Sequence, residues 1–409
     1  MKLLIAIPAL NEEESIEAII QRSLAARDFI RANSPVTEVA ITVVSDGSTD
    51  RTAELASRYT DVINLIVFPQ NKGYGAAIKE AWNQSDADLL GFLDADGTCE
   101  PRFFAPLCQT VVAEGADVVL GCRLNAESQM PLIRRIGNVI FATILYVFSA
   151  SPVRDTASGM RVVRRSSLDW LYPLPDGLHF TPAMSARAML SYGIRIVEVD
   201  MPYDERAGES KLRVVKDGFR FLRVIVETAF LFRPSRPLGL LAIVFVVFAA
   251  VLMWAPIIYY VQNGSVQERM IYRFLVSELS GIGGCLCFCA SYLTGRMASI
   301  SLPEEAGLLR SRLTNWLFQS TWFWTVPLGF YLVGLLLVAS SLFDRITTGM
   351  TYEHWSRYVV MSFCFAVGIV LSVTRLIDYV LKLVDSRLEY LKTQSTIVKR
   401  VRHYAQAGR

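Results

Sequence analysis

Histidine is scarce in this 409-residue chain, and His179, His354 and His403 show neither ligand spacing nor triad spacing, so no chemistry is assigned to them. The seven cysteines are odd in number and lack paired metal-ligand spacing. Cys285, Cys287 and Cys289 alternate within an apolar helix and so point to different faces, as small packing residues do. Neither a phosphate-cradling P-loop nor a Gly-x-Gly-x-x-Gly turn is present, so a bound nucleotide would have to be held by acids and a metal. A net charge of +3 makes no case for nucleic acid as a partner. Basic side chains at Lys399, Arg400, Arg402 and Arg409 suit anionic lipid headgroups or solvent.

Hydrophobic residues, by contrast, make up 52% of the chain and mean hydropathy is +0.35, more than an ordinary soluble domain carries. The excess lies after Arg236, where Pro237–Val261, Met270–Thr294, Trp316–Phe343 and Trp355–Thr374 each reach the roughly 20 residues that cross a bilayer. The third segment opens with Trp316, Trp322 and Trp324, an interfacial belt, and is expected to be interrupted by Pro327. Basic flanks set the orientation. Arg233, Arg236, Arg296, Arg310, Arg312, Arg375, Lys382 and Arg387 outweigh Arg269, Arg273, Arg345 and Arg357, which places the N-terminal part in the cytosol. The apolar start resembles a signal peptide, but Pro8 and the acids Glu12, Glu13 and Glu14 cut it short, so a first strand is expected there. Glu278, an acid inside an apolar helix, adjoins Ser280, Gly281, Gly283 and Gly284, which favours close helix packing over a site.

Up to about Phe232, strand-like runs at Leu3–Ile7, Val39–Val44, Val62–Val67, Leu89–Leu93 and Val118–Gly121 alternate with helical patterns at Glu13–Ala32, Asp50–Arg58 and Gly75–Asn83. Such alternation predicts a mainly parallel sheet covered by helices, with ligands beyond the carboxyl ends of the strands. Those ends carry Asn11-Glu12, Ser45-Asp46 and Asp94-Ala95-Asp96. Two carboxylates one residue apart at the end of a buried strand can be aimed at one hard divalent cation, which would neutralise a nucleotide's phosphates.

The runs Ile7-Pro8-Ala9-Leu10-Asn11-Glu12-Glu13, Val43 through Thr52 and Asp94-Ala95-Asp96 resemble, in order and spacing, family 2 glycosyltransferases with the GT-A (Rossmann-like) fold. Asp155 through Arg161 and Glu205 through Lys211 narrow the resemblance to polyprenyl-phosphate glycosyltransferases, of the dolichol-phosphate mannose synthase kind. The resemblance spans roughly Met1–Arg233. Taken with the apolar segments and their basic flanks, it gives a cytosolic GT-A domain over 1–211, an amphipathic juxtamembrane helix over 212–236, a transmembrane domain of four helices over 237–384 and a basic cytosolic tail over 385–409.

The resemblance further implies that Pro8, Leu10 and Glu12 line a base and ribose pocket, that Asp46 hydrogen-bonds the nucleobase, and that Asp94 and Asp96 hold Mg²⁺ or Mn²⁺ and the donor diphosphate. Ser45 stands where many relatives have Asp, and Thr98 where some have a third metal ligand. Asp155 is similar to an acceptor-site aspartate, orienting an arginine or acting as base, while Arg206 and Lys211 lie on a segment that closes over the donor phosphates. Direct attack would invert the anomeric carbon. The implied partners are a nucleotide sugar of the GDP-mannose or UDP-glucose class, polyprenyl phosphate (undecaprenyl or dolichyl) and the bilayer. Homo-oligomer contacts stay open as one role for the membrane helices. A lipid monophosphate is already a nucleophile, so cations that desolvate and aim it matter more than a strong base. Arg123, Arg134, Arg135, Arg206 and Lys211 are the candidates, Arg123 standing as an acceptor-phosphate arginine does in the family.

Two apolar stripes at helical spacing, Ile133-Ile136-Ile140-Ile144-Val147 and Leu212-Val215-Phe219-Leu222-Val226, carry basic neighbours and suit seating on a membrane surface or packing on the core. Rival readings are transfer to another lipid or to a polysaccharide, against which the absence of a Gln-x-x-Arg-Trp run speaks, and a non-catalytic membrane scaffold or lipid-translocation partner, against which the intact acids and cations speak.

Overall fold

Apolar runs with turn residues between them give the first five strands close to their expected bounds: β1 (Lys2–Ala9), β2 (Glu38–Asp46), β3 (Asn64–Phe68), β4 (Leu89–Leu93) and β5 (Val118–Cys122). In the computed structural model, which describes residues 1–126, 128–149, 152–191, 193–204, 214–301, 312–350 and 354–407, they are joined by β6 (Met160–Arg164) and β7 (Ile196–Asp200). The sheet order is β3-β2-β1-β4-β6-β5-β7. β6 runs antiparallel to β4 and β5, and every other pair is parallel.

Alternation along β1 divides the core, because successive side chains leave opposite faces of a strand. Leu3, Ile5 and Ile7 pack with Ile16, Ile19 and Ile20 of α1 (Ile16–Ala32) and with Phe104, Leu107 and Val111 of the helix Phe104–Ala113. Leu4 and Ala6 face the other layer, where Ile78 and Trp82 of Tyr74–Asn83 meet Phe180 and Met184 of Phe180–Leu190. Each such fully buried aliphatic side chain contributes about 1.5–3 kcal/mol. In chain order the helices after α1 are α2 (Thr52–Ser57), α3 (Tyr74–Asn83), α4 (Phe104–Ala113), α5 (Leu132–Ser149), the short α6 (Leu168–Leu171), α7 (Phe180–Leu190) and α8 (Val214–Phe232).

The chain divides into two compact units, Met1–Phe232 and Arg233–Arg409. The first therefore includes α8, most of the stretch expected as a separate juxtamembrane helix. Ile225 and Ala229 of α8 are buried with Leu145 and Phe148 of α5 and with Ala186, Met189 and Leu190 of α7. α5 turns Asn138, Ala142, Leu145 and Phe148 inward and leaves Ile133, Ile136, Ile140 and Val147 exposed; Ile144 is only half-exposed. On α8, Phe219 is exposed and Leu222 and Val226 are half-buried. Core packing and an outward apolar stripe thus coexist on both helices.

Among the described residues five helices are long and apolar enough to cross a membrane, α5 and four in the second unit. The second unit comprises α9 (Ser235–Asn263), α10 (Ile271–Ser301) and the helices Arg312–Gln319, Thr325–Thr348 and Trp355–Ala407. The third expected span is broken, though not at Pro327. The helix ends at Gln319 and restarts at Thr325, which puts Pro327 in the first turn, where its missing N–H has no intrahelical partner to lose. Trp355–Ala407 is one continuous helix through the region expected to hold a separate tail. Glu278 accepts a hydrogen bond from the Ser362 hydroxyl, and Gly281 lies against Phe363, as close packing requires.

Candidate functional site

In the parallel register Ala9 pairs with Ser45 and Ala6 with Phe92, so β1, β2 and β4 deliver the segments after Ala9, Ser45 and Leu93 to one edge of the sheet. A cavity of about 590 Å³ lies there. Pro8, Leu10, Glu12, Asp46, Asp94 and Asp96 line it, together with Arg123, Arg134, Asn138 and Arg220.

Asp46 is buried, and its two carboxylate oxygens accept from the backbone N–H groups of Lys72 (2.7 Å) and Gly73 (2.9 Å). Each oxygen keeps a second lone-pair direction for a ligand. Asp46 does not cap α2; the Asp50 carboxylate accepts from the Thr52 N–H instead, at 3.0 Å. Gly73 holds φ at +111°, and a Cβ there would stand 2.4 Å from the Asp176 carbonyl oxygen, so only glycine makes this turn.

Asp94 accepts from the Tyr74 hydroxyl at 2.6 Å. Burial first, and the Asp94 charge second, hold the Tyr74 hydroxyl well above its ordinary pKa, so it remains a donor. Gly159 closes over the same carboxylate: a Cβ there would lie 1.8 Å from Asp94 Oδ2. Asp96 is braced by its own turn, accepting at Oδ1 from Thr98 N–H (3.2 Å) and Thr98 Oγ1–H (2.7 Å). Thr98 therefore supports Asp96 rather than adding a metal ligand. Two hard carboxylates on one cavity wall fit a Mg²⁺- or Mn²⁺-sized cation that takes its remaining oxygens from a substrate. Among the described residues no group of three His, Cys, Asp or Glu is placed to hold a metal alone.

Arg123, on the cavity lining, forms a fork with Asp155 behind it. Arg123 Nε donates to Asp155 Oδ2 at 2.7 Å, one terminal nitrogen (Nη2) donates to Oδ1 at 2.9 Å, and the Arg123 backbone N–H adds a third bond to Oδ2 at 3.0 Å. Asn138 Nδ2 donates to Oδ1 at 2.5 Å. Burial alone would raise the Asp155 carboxyl, but the Arg123 charge and these donors outweigh it and leave the group below the usual carboxylate range. Asp155 is fully buried and is not among the cavity-lining residues, and among the described residues the bonds to its carboxylate come from Arg123, Asn138 and the backbone of its own loop. The Arg123 guanidinium also stacks over the Tyr203 ring, 5.3 Å from its centroid.

Arg161, fully buried in β6, donates to the carbonyls of Ser158 (3.0 Å) and Thr156 (2.9 Å) and to Ser185 Oγ (2.9 Å). Burial, its largest influence, pushes this guanidinium down to about 10, still charged at neutral pH. It fastens the loop that carries both Asp155 and Gly159.

Of the two neighbouring arginines, Arg134 lines the cavity, whereas Arg135 is exposed and is not among the lining residues. Arg206 and Lys211 lie outside the described residues. Tyr74, Asn138, Gly159 and Tyr203 were not singled out from the sequence, and Arg220, expected as a basic residue beside the second apolar stripe, was not expected in the cavity. Gly159 was quoted only inside a motif, and the apolar spacing of α5, which puts Asn138 on the buried side, was the one signal available for that residue.

The profile of glycosyl transferase family 2 matches residues 4–171. A low-salt glycan biosynthesis hexosyltransferase of Haloferax volcanii is 32% identical over 312 residues, 75% of this chain and 70% of that protein. A dolichyl-phosphate hexose transferase of the same organism is 32% identical over 55% of this chain and 92% of its own length. An undecaprenyl-phosphate 4-deoxy-4-formamido-L-arabinose transferase of Photorhabdus laumondii is 29% identical over 53% and 64%.

Proposed function

The chain belongs to glycosyl transferase family 2, with the GT-A fold, and on that footing we propose that it transfers one hexose, mannose or glucose, from a nucleotide sugar to a polyprenyl phosphate at the cytoplasmic face of its membrane. The observation that carries this reading is the pairing, in one cavity, of the Asp94 and Asp96 carboxylates with the preset Arg123–Asp155 fork. The two acids suit a metal-bound diphosphate, and the preset arginine suits a phosphate monoester.

Pro8, Leu10, Glu12 and Asp46 would receive the nucleoside. Asp94 and Asp96 would hold the divalent cation, which when bound neutralises the diphosphate and eases its departure. Tyr74 and Gly159 fix the Asp94 carboxylate, and Thr98 fixes Asp96. Arg123 spends two of its five N–H groups on Asp155 and keeps the others for an acceptor phosphate, with Arg134 near it. The acceptor's phosphate oxygen attacks the anomeric carbon as the nucleoside diphosphate leaves, inverting the configuration. No protein base is required, since the phosphate monoester is ionised near neutral pH. Arg206 and Lys211 would close over the diphosphate and exclude water. Exposed apolar residues on α5 beside the cavity support entry of a lipid acceptor from the bilayer.

Transfer from a panel of radiolabelled nucleotide sugars to polyprenyl phosphate tests this, with Mg²⁺ or Mn²⁺, with chelator, and with Asp94→Ala. Metal-dependent label in a single-sugar lipid, lost in the variant, is the expected result. No transfer from any donor by folded protein would overturn it.

A further inference from the structure

The second unit contains a charged cluster to which no part of the transfer chemistry assigns a task. Asp378, on the helix Trp355–Ala407, is fully buried. It accepts from the Tyr292 hydroxyl at 2.7 Å and from Arg375 at 3.0 Å, and lies 3.5 Å from Arg296 Nε and 3.6 Å from Lys382 Nζ. Asp385 stands 3.9 Å from Arg296, beyond hydrogen-bond range. Among the described residues three cations thus face two carboxylates, one positive charge in excess.

The donors are unbalanced in the same sense. Arg296 is 4% exposed, yet its Nη1 makes no hydrogen bond and its Nε meets Asp378 only as an ion pair at 3.5 Å; Arg375 donates from Nη1 to the Phe318 carbonyl, but its Nε makes no hydrogen bond. A buried charged donor left without an acceptor is costly, and most buried polar groups are paired. Arg296 and Arg375 follow directly on the apolar runs Met270–Thr294 and Trp355–Thr374, where basic residues commonly meet lipid headgroups. The cluster opens toward its rim, where the side chains of Lys382 and Asp385 are 39% and 34% exposed.

We propose that Arg296, Arg375 and Lys382 form a binding site for the phosphodiester headgroup of an anionic membrane lipid. One negative charge cancels the excess, and its two free oxygens supply acceptors to the orphan N–H groups of Arg296 and Arg375. A phosphate monoester, at about −1.5 to −2, would overshoot that balance. The residues of the site all belong to the second unit, and the proposal does not depend on the transferase reading.

The test uses the full chain in detergent, with retention of short-chain phosphatidylglycerol followed by native mass spectrometry and by the shift in thermal unfolding midpoint. Farnesyl phosphate and inorganic phosphate serve as the monoester and free-anion arms. Phosphatidylglycerol is expected to bind and stabilise the wild type. Lys382→Gln, at the half-exposed rim where folding is not at stake, should weaken retention severalfold, and Arg296→Gln about tenfold or more. Asp378→Asn frees positive charge and should tighten retention in the protein that folds, which a purely structural ion-pair network would not do. Equal retention by wild type, Lys382→Gln and Arg296→Gln would overturn the proposal. So would preferential binding of farnesyl phosphate or inorganic phosphate.

Discussion

Arg123 and Asp155 meet in a two-point fork, Nε to Oδ2 at 2.7 Å and Nη2 to Oδ1 at 2.9 Å, so the guanidinium is held in one orientation before any ligand arrives. Lysine cannot reproduce a planar fork. Arg123→Lys should therefore raise KM for polyprenyl phosphate about tenfold or more, as expected for loss of a hydrogen bond between charged groups, while KM for the nucleotide sugar stays put. Steady-state kinetics with each substrate varied decides it; equal increases in both constants would remove Arg123 from the acceptor side.

The depressed Asp155 carboxyl fixes a sign for acid sensitivity. A group whose folded pKa lies below its unfolded value of about 3.9 contributes stability above that value, and the contribution is lost as pH falls through the folded one. Asp155→Asn should lower the thermal midpoint near pH 7, by breaking a buried pair worth about 3–5 kcal/mol when one partner is removed. The wild-type and variant midpoints should converge below pH 4. Midpoints that stay equally far apart down to pH 2 would contradict the assignment.

Gly159→Ala should leave the fold and abolish most activity. The added methyl would occupy the position of Asp94 Oδ2, and displacement of a reacting group by about 1 Å costs about 10²-fold. Circular dichroism together with kcat distinguishes this from simple misfolding, and near-normal kcat would show that Asp94 is not needed where it stands.

Tyr74→Phe removes one hydrogen bond to Asp94 and nothing from the aromatic packing against Phe92 and Phe180. Since hydrogen bonds to charged groups contribute about 1.5–3 kcal/mol, kcat should fall by about tenfold or more, with a weaker response to added Mn²⁺. Unchanged metal titration curves would assign Tyr74 to packing alone.

Strands β1 to β5 were legible because each is a continuous apolar run bounded by turn residues, and the acids at their ends followed from parallel topology. β6 and β7 were not. Arg161 interrupts the apolar pattern of Met160–Arg164, and its burial depends on three partners brought in by the tertiary fold. Ile196–Asp200 is a half-buried edge strand that mixes apolar residues with Glu198 and Asp200. The Asp94 and Asp96 pair stands out locally, but what fixes it comes from distant segments: Tyr74 lies 20 residues before Asp94, and Gly159 far after it. Asn138 reads as a polar residue in an apolar helix until Asp155 and Thr156 are placed beside it. The break at Ser320–Trp324 was masked by its aromatic composition, which keeps hydropathy high through a segment that is not helical.

The two carboxylates of Asp46 and Asp94 are tied to adjacent links of one strap: Lys72 and Gly73 give their backbone N–H groups to Asp46, and the next residue, Tyr74, gives its hydroxyl to Asp94. The Gly73 turn sets how far apart those attachments sit. The separation of these two carboxylates is thus gauged by three consecutive residues, and lengthening the strap by one residue would shift Asp46 and Asp94 relative to each other, whatever ligand spans them.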